Sequence, residues 1–250
     1  MNKQMLEILK AVTVSSKDNG TNWTDTTRLD VIKERLGSSD YKILNRDGTT
    51  RNDLYMLFGK EDLSKSKKYI VISTHVDTLM NRFFVEQKDS NLIGTFDNAI
   101  TNAAVLYNML NSKFDNNILI AFTGNEECGM RGAKNLYKYL SDYDVISYMV
   151  LDVSWEDYYK NSFTLENIEL PDEAIKKILV AAKHTQEKYI VVSPYDFDDE
   201  TEVYSDNFCF SYCIPIMNDD EMHSNVGVET TVELFEKYTD TMPLIAKALL

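Results

Sequence analysis

Cysteine is scarce in this 250-residue sequence, which has only Cys128, Cys209 and Cys213. An odd, low count rules out a disulfide framework, so an apolar core must hold the fold. Cys209 and Cys213 are four apart, a spacing that lets them share a helical face, and buried packing is the ordinary use of such residues. Cations are also short: 26 Lys and Arg stand against 40 Asp and Glu, a formal net charge of −14. So acidic a surface repels phosphate, which makes nucleic acid and anionic membrane poor partners. No apolar run approaches the ~20 residues that span a bilayer. The opening MNKQMLEILKAV lacks the apolar stretch and small-residue cleavage site of a signal peptide, so a cytoplasmic location is expected. There are no internal repeats, low-complexity tracts or obvious linkers, and residues 1–250 are expected to form one domain.

What is present reads as an α/β protein. Helices are expected over 2–12 and 26–36, the second stopped by Gly37 after the polar loop KDNGTNWTDTT. Extended segments follow at Tyr41–Leu44 and Leu54–Phe58. Three short apolar runs, residues 69–74, 118–122 and 148–151, then alternate with helical patterns at 98–113 and 131–141. That alternation predicts a mixed, mostly parallel sheet flanked by helices. Another helix fits 171–186, with Pro171 in its first turn, and the segment from Thr230 is helical by spacing. Pro243 is expected to kink or interrupt that last helix.

Each apolar run ends in residues able to bind a metal: His75 and Asp77 after the first, Glu126 and Glu127 after the second, Asp152 after the third. Ligands of open α/β sheets bind at the carboxyl ends of strands, so these side chains should converge. In His75-Val-Asp77 the carboxylate is placed to accept the second imidazole N–H and fix the tautomer. Glu126 and Glu127 repel each other at the end of a buried strand unless a proton or cation resolves the conflict. A metal ion does so if one carboxylate binds it and the other serves as a base. Asp97, in Gly94-Thr95-Phe96-Asp97-Asn98, follows a turn and precedes a helix, where it fits either a ligand or a simple N-cap. His184, in AAKHTQEK, reads as a solvated helix residue. Five of the nine glycines, including Gly94, Gly124 and Gly132, lie near the candidate ligands.

The order His75-Val-Asp77, Asp97, Glu126-Glu127-x-Gly129, Asp152, His223 resembles the co-catalytic zinc exopeptidases, among them bacterial leucyl aminopeptidase-like enzymes, glutamate carboxypeptidases and tetrahedral aminopeptidases. The resemblance covers about residues 68–228 and is most specific in TGNEECGMRGA and EMHSNV. It implies two divalent ions, zinc with cobalt or manganese as substitutes. Asp97 would bridge them, with His75 and Asp152 on one, Glu127 and His223 on the other. Asp77 would orient His75, and Glu126 would be the general base. It also implies a cis peptide bond at Asp97-Asn98.

Departures from the family are Thr101-Asn102 after the bridging Asp, Asn207 in place of a His, and Cys213 in place of a Gly; these bear on substrate handling. Relatives insert a domain between the first His and the bridging Asp, or a lid before the last His. The intervals here, 22 and 71 residues, leave no room for either, so a single catalytic domain is expected.

The resemblance implies an aminopeptidase acting on small peptides. A deacylase or carboxypeptidase acting on acylated amino acids shares the same site, and a non-catalytic scaffold relative is a third reading. Residues 196–207, DFDDETEVYSDN, bring Asp196, Asp198, Asp199, Glu200, Glu202 and Asp206 within reach of the site and no cation. An acidic rim would attract a substrate ammonium and repel a terminal carboxylate. Residues 153–223 contain no Arg to grip such a carboxylate.

Overall fold

The computed structural model describes residues 2–14, 26–47, 54–80, 82–169, 172–192 and 199–250. Its strands are β1 (Lys42–Asp47), β2 (Tyr55–Gly59), β3 (Lys68–His75), β4 (Val85–Lys88), β5 (Asn91–Gly94), β6 (Ile118–Thr123), β7 (Asp144–Ser154), β8 (Phe163–Glu169), β9 (Tyr189–Val191), β10 (Cys209–Pro215) and β11 (Val228–Thr231). Its helices are α1 (Lys3–Val12), α2 (Thr26–Leu36), α3 (Ala99–Leu110), α4 (Arg131–Leu140), α5 (Asp172–His184), α6 (Thr201–Tyr204) and α7 (Val232–Lys247).

Eight strands form one sheet in the order β1-β2-β6-β3-β7-β10-β8-β9. The four in the middle, β6, β3, β7 and β10, are parallel, and β2 and β8 join them antiparallel. This is the mixed, mostly parallel α/β sheet that the sequence implies. The central strands read as continuous apolar runs because both faces are covered: all of β6 is buried, and all of β3 except its first residue. Alternation then divides the side chains. Ile70 and Ile72 join a large core with α1, α2, α3, α5 and α7, while Tyr69 and Val71 join a smaller one with α4 and α6. Helix α3 is buried along ten of its twelve residues.

Some elements differ from expectation. The 21 residues between His75 and Asp97 contain the hairpin β4–β5, which β11 completes as a separate three-stranded antiparallel sheet. The interval from Asp152 to His223 holds β8, α5, β9, α6 and β10. Cys209 and Cys213 do not share a helix. They lie on β10, on the face of Ser211, because β7 and β8 pair with that segment from both sides. Both cysteines are buried, and none of the three is in a disulfide.

Helix α7 runs unbroken through Pro243. Proline removes the bond to the carbonyl four residues back, Thr239, and Asn108 of α3 fills the gap with an Nδ2–O bond of 2.8 Å. The polar loop 17–27, in part, and Pro171, Asp196 and Asp198 lie outside the described residues. No helix among the described residues is long and apolar enough to cross a membrane.

Candidate metal centre

Parallel pairing aligns the ends of the central strands. His75, last in β3, sits beside Thr123, last in β6, and Thr74 sits beside Leu151 of β7. Imidazole and carboxylates therefore emerge from one edge. After β6 the chain turns through Asn125, whose left-handed φ of 62° reverses it into a short 3-10 turn carrying Glu126 and Glu127. Asp97 arrives just before α3, and the Asp97-Asn98 bond is cis, as the resemblance implies. His223 comes from the loop after a second 3-10 turn, Asp219–Glu221.

The structure brings all five proposed ligands together. His75 Nε2 lies 3.2 Å from Asp97 Oδ1 and 3.6 Å from Asp152 Oδ2. His223 Nε2 lies 3.1 Å from Asp97 Oδ2 and 3.8 Å from Glu127 Oε2. Asp97 thus stands between two groups, His75 with Asp152 and His223 with Glu127. Ligand atoms at about 2.0–2.1 Å from one tetrahedral ion are themselves about 3.3–3.5 Å apart, close to these separations. One donor atom each from His75, Asp97 and Glu127 falls within a 4.8 Å cluster. Asp97 Oδ1 and Glu127 Oε1 are buried without a hydrogen-bond partner, as expected of oxygens whose partner is a cation. The donor set and these two oxygens fit divalent metal. His184 is exposed on α5 and does not line the cavity at this group.

A supporting layer holds the proposed ligands. His75 Nδ1 is 3.2 Å from the backbone carbonyl of Asp77, with the Asp77 carboxylate farther away at 3.6 Å. Donation to that carbonyl leaves Nε2 facing Asp97 and Asp152. The Asp77 carboxylate instead accepts the backbone N–H groups of Glu126 and Glu127, at 3.1 and 3.2 Å. Thr101 and Asn102, expected to bear on substrate handling, lie behind the ligands. Asn102 Nδ2 donates to the His75 carbonyl at 2.7 Å, and Thr101 pairs with Thr74 at 2.9 Å. Both are fully buried on α3, whose close packing under β3 requires polar groups to meet the strand-end backbone. Asn207 does not line the pocket either; of the three departures only Cys213 does. Gly132 lets α4 approach β6, since a Cβ there would stand 2.4 Å from the Leu54 carbonyl oxygen and 2.6 Å from Gly124.

Charge at the centre is unbalanced without a cation. Burial pushes the Glu126 carboxyl up to about 9, with Asp152, Asp77 and Asp97 adding to the rise and His75 opposing it. Burial and then Asp97 raise Glu127 to about 10. Burial also raises Asp97, but His223 and His75 outweigh it and hold that carboxyl well below its usual range. His75 is driven the other way, since Asp152, Asp77 and Asp97 overcome burial and raise it well above 6.5. A bound dication inverts these preferences, keeping the carboxylates ionised and the imidazoles neutral.

The proposed ligands open into a cavity of about 410 Å³ whose rim includes Met130, Trp155, Asp219 and Met222. Its wall holds two further carboxylates. Glu166 of β8 accepts hydroxyls from Ser154 and Thr164. Asp199 accepts from Thr201 N at 2.8 Å, Asn167 Nδ2 at 3.2 Å and the hydroxyls of Thr201 and Ser211. Of the acidic segment's described residues only Asp199 reaches the cavity; Glu200 is buried beneath, and Glu202 and Asp206 are exposed. Glu166 goes unnoticed in the sequence because FTLENIE carries no strong strand signal, although a Glu at an inward position of an alternating run marks it once β8 is known.

A family model described as peptidase family M28 matches residues 56–223. No curated protein matches the sequence. Among solved structures, an aminopeptidase from the archaeon Desulfurococcus kamchatkensis superposes with a TM-score of 0.73 at 11% identity, covering 97% of this chain and 94% of its own. The Pyrococcus horikoshii TET1 peptidase, which can assemble into a tetrahedron or a large octahedral shell, gives 0.69 at 13%, covering 97% and 99%. The LapA aminopeptidase of Legionella pneumophila gives 0.68 at 12%, covering 100% and 72%. At these identities the likeness speaks for the fold.

Proposed function

We propose, from the premise that this chain belongs to peptidase family M28 and is a hydrolase of the metallo-exopeptidase kind, that it is an aminopeptidase releasing the N-terminal residue of small peptides. Asp97 with His75 and Asp152 would hold one zinc ion, and Asp97 with Glu127 and His223 would hold a second. Zinc, when bound, would supply Lewis acidity toward water and the scissile carbonyl. The chain's own residues do the rest. Glu126 is half-buried at the cavity wall beside this cluster, where it takes the water's proton and passes it to the departing amine. Asp77 fixes the turn that carries Glu126 and Glu127 through their backbone N–H groups. Met130, Met222 and Trp155 give the rim an apolar surface for a side chain.

The observation that carries substrate polarity is the lining of the cavity. Beyond the proposed ligands and base it presents Glu166, Asp199 and Asp219, and no Lys or Arg among the described residues. Such a wall attracts an α-ammonium and offers nothing to grip a terminal carboxylate, which supports an aminopeptidase over a carboxypeptidase. The experiment compares an aminoacyl-p-nitroanilide with its N-acetylated form and an N-blocked dipeptide, using zinc-loaded protein. Hydrolysis confined to the free-amine substrate is expected. Faster cleavage of the blocked substrates would overturn the aminopeptidase reading and favour an acyl-amino hydrolase.

A further inference from the structure

Glu200 is 1% exposed, carries a carboxylate, and plays no part in the mechanism above. Its two oxygens serve two different strands: Oε2 accepts the hydroxyl of Ser73 on β3, and Oε1 accepts the hydroxyl of Thr123 on β6. Ser73 is two residues before His75, and Thr123 is three before Glu126. Because His75 and Thr123 are register partners, the two hydroxyls approach one carboxylate diagonally across the strand pair. Glu200 also leads into α6, whose Tyr204 hydroxyl lies 3.0 Å from Ser73 Oγ, and it directly follows Asp199 on the cavity wall.

A buried carboxylate is a costly way to fill space, and two hydroxyl donors only partly offset its desolvation. Leucine or methionine would pack at that position without the cost. What an apolar residue lacks is a rigid pair of acceptors that fixes the spacing of two strand ends. We propose that Glu200 is a positioning residue for the metal centre, a clamp that sets the separation of His75 on one strand end from Glu126 and Glu127 on the other. The inference rests on the ligand set proposed above but not on the reaction.

The test is Glu200→Gln, which preserves shape and one acceptor but replaces the other with a donor that cannot accept a hydroxyl. Zinc affinity is read by competition with a chromogenic chelator, kcat and KM on the best aminoacyl-p-nitroanilide, and folding by thermal melt. Tyr212→Phe is the control: its hydroxyl is buried on the opposite face and bonded to the Tyr238 carbonyl and Thr241, remote from the centre. Glu200→Gln should weaken zinc about tenfold, the lower end of what loss of a ligand's supporting contact costs, and lower kcat about as much with KM nearly unchanged. Tyr212→Phe should lower the melting temperature while leaving affinity and kcat within about twofold of wild type.

Wild-type zinc affinity in folded Glu200→Gln would overturn the proposal, as would an equal loss in Tyr212→Phe. If Glu200→Gln does not fold, Thr123→Val removes one clamp bond at nearly constant shape and must show the same pattern at smaller size, or the proposal fails. If the wild type cleaves no aminoacyl substrate, the aminopeptidase reading fails while the affinity comparison still decides the clamp.

Discussion

The two faces of the central sheet are built on opposite plans. On one, α1, α2, α3, α5 and α7 cover an apolar core that runs from Met5 to Leu249. On the other, α4 and α6 cover a smaller core. Past its edge lies a buried polar layer in which Ser73, Thr123, Ser154, Thr164 and Ser211 donate to Glu200, Glu166 and Asp199. The first face buries hydrocarbon and contributes stability at about 25 cal/mol per Å² of apolar surface. The second keeps carboxylates out of water beside the strand ends, which stabilises little and holds the candidate ligands in place. Stability and chemistry are divided between the two sides, and substitutions on each side should fail differently.

The largest expected effect is on chemistry. Glu126→Gln should retain zinc and fold as well as the wild type, because it removes one of several mutually repelling carboxylates crowded at the centre. Its rate should drop by about 10²–10⁴-fold, the usual contribution of a positioned base. Turnover close to wild type would show that the proton goes elsewhere. On the other face, Leu106→Ala in α3 removes a fully buried side chain. It should cost about 2–5 kcal/mol in denaturant unfolding yet leave kcat of the folded enzyme within about twofold. A large fall in kcat with unchanged stability would dissolve the division between the faces.

The sequence makes the division legible only in part. The apolar runs ending in His75, Glu126-Glu127 and Asp152 show which strands are central and which edge carries the candidate site, because burial on both faces leaves an unmistakable run and charge at its end is costly unless used. Local patterns also give α1, α2, α3 and α4 to within a few residues. What stays hidden depends on tertiary partners. Strands β4, β5, β9 and β11 are three or four residues long, too short for periodicity to register. Pro243 breaks a helix in isolation but not beside Asn108, a partner 135 residues away. The cysteines of β10 have helical spacing, and only the flanking strands decide otherwise. Thr101 and Asn102 stand where substrate contacts are expected, yet they support the His75 backbone, since residue type does not reveal which side of a ligand a neighbour occupies.

The smallest expected effect separates the faces by pH. Burial pushes Glu166 and Glu200 from 4.5 up to about 7 each, with their hydroxyl donors holding the rise back. A carboxyl with a higher pKa in the folded state binds its proton more tightly there than in the unfolded chain. Its contribution to stability is therefore fully present below about pH 4.5 and is lost as pH rises through about 7. Metal-free protein should melt at progressively lower temperature between about pH 5 and pH 8. Each kcal/mol lost corresponds to about 2–4 °C for a chain of this size. Glu166→Gln removes one of the several groups whose raised pKa contributes to that slope, so its melting temperature should depend less steeply on pH. Leu106→Ala removes only hydrocarbon, so it should lower the whole curve without changing its shape. Melting temperatures across that range for the three proteins decide the matter: a Glu166→Gln curve parallel to wild type would mean that the polar layer does not set the pH response.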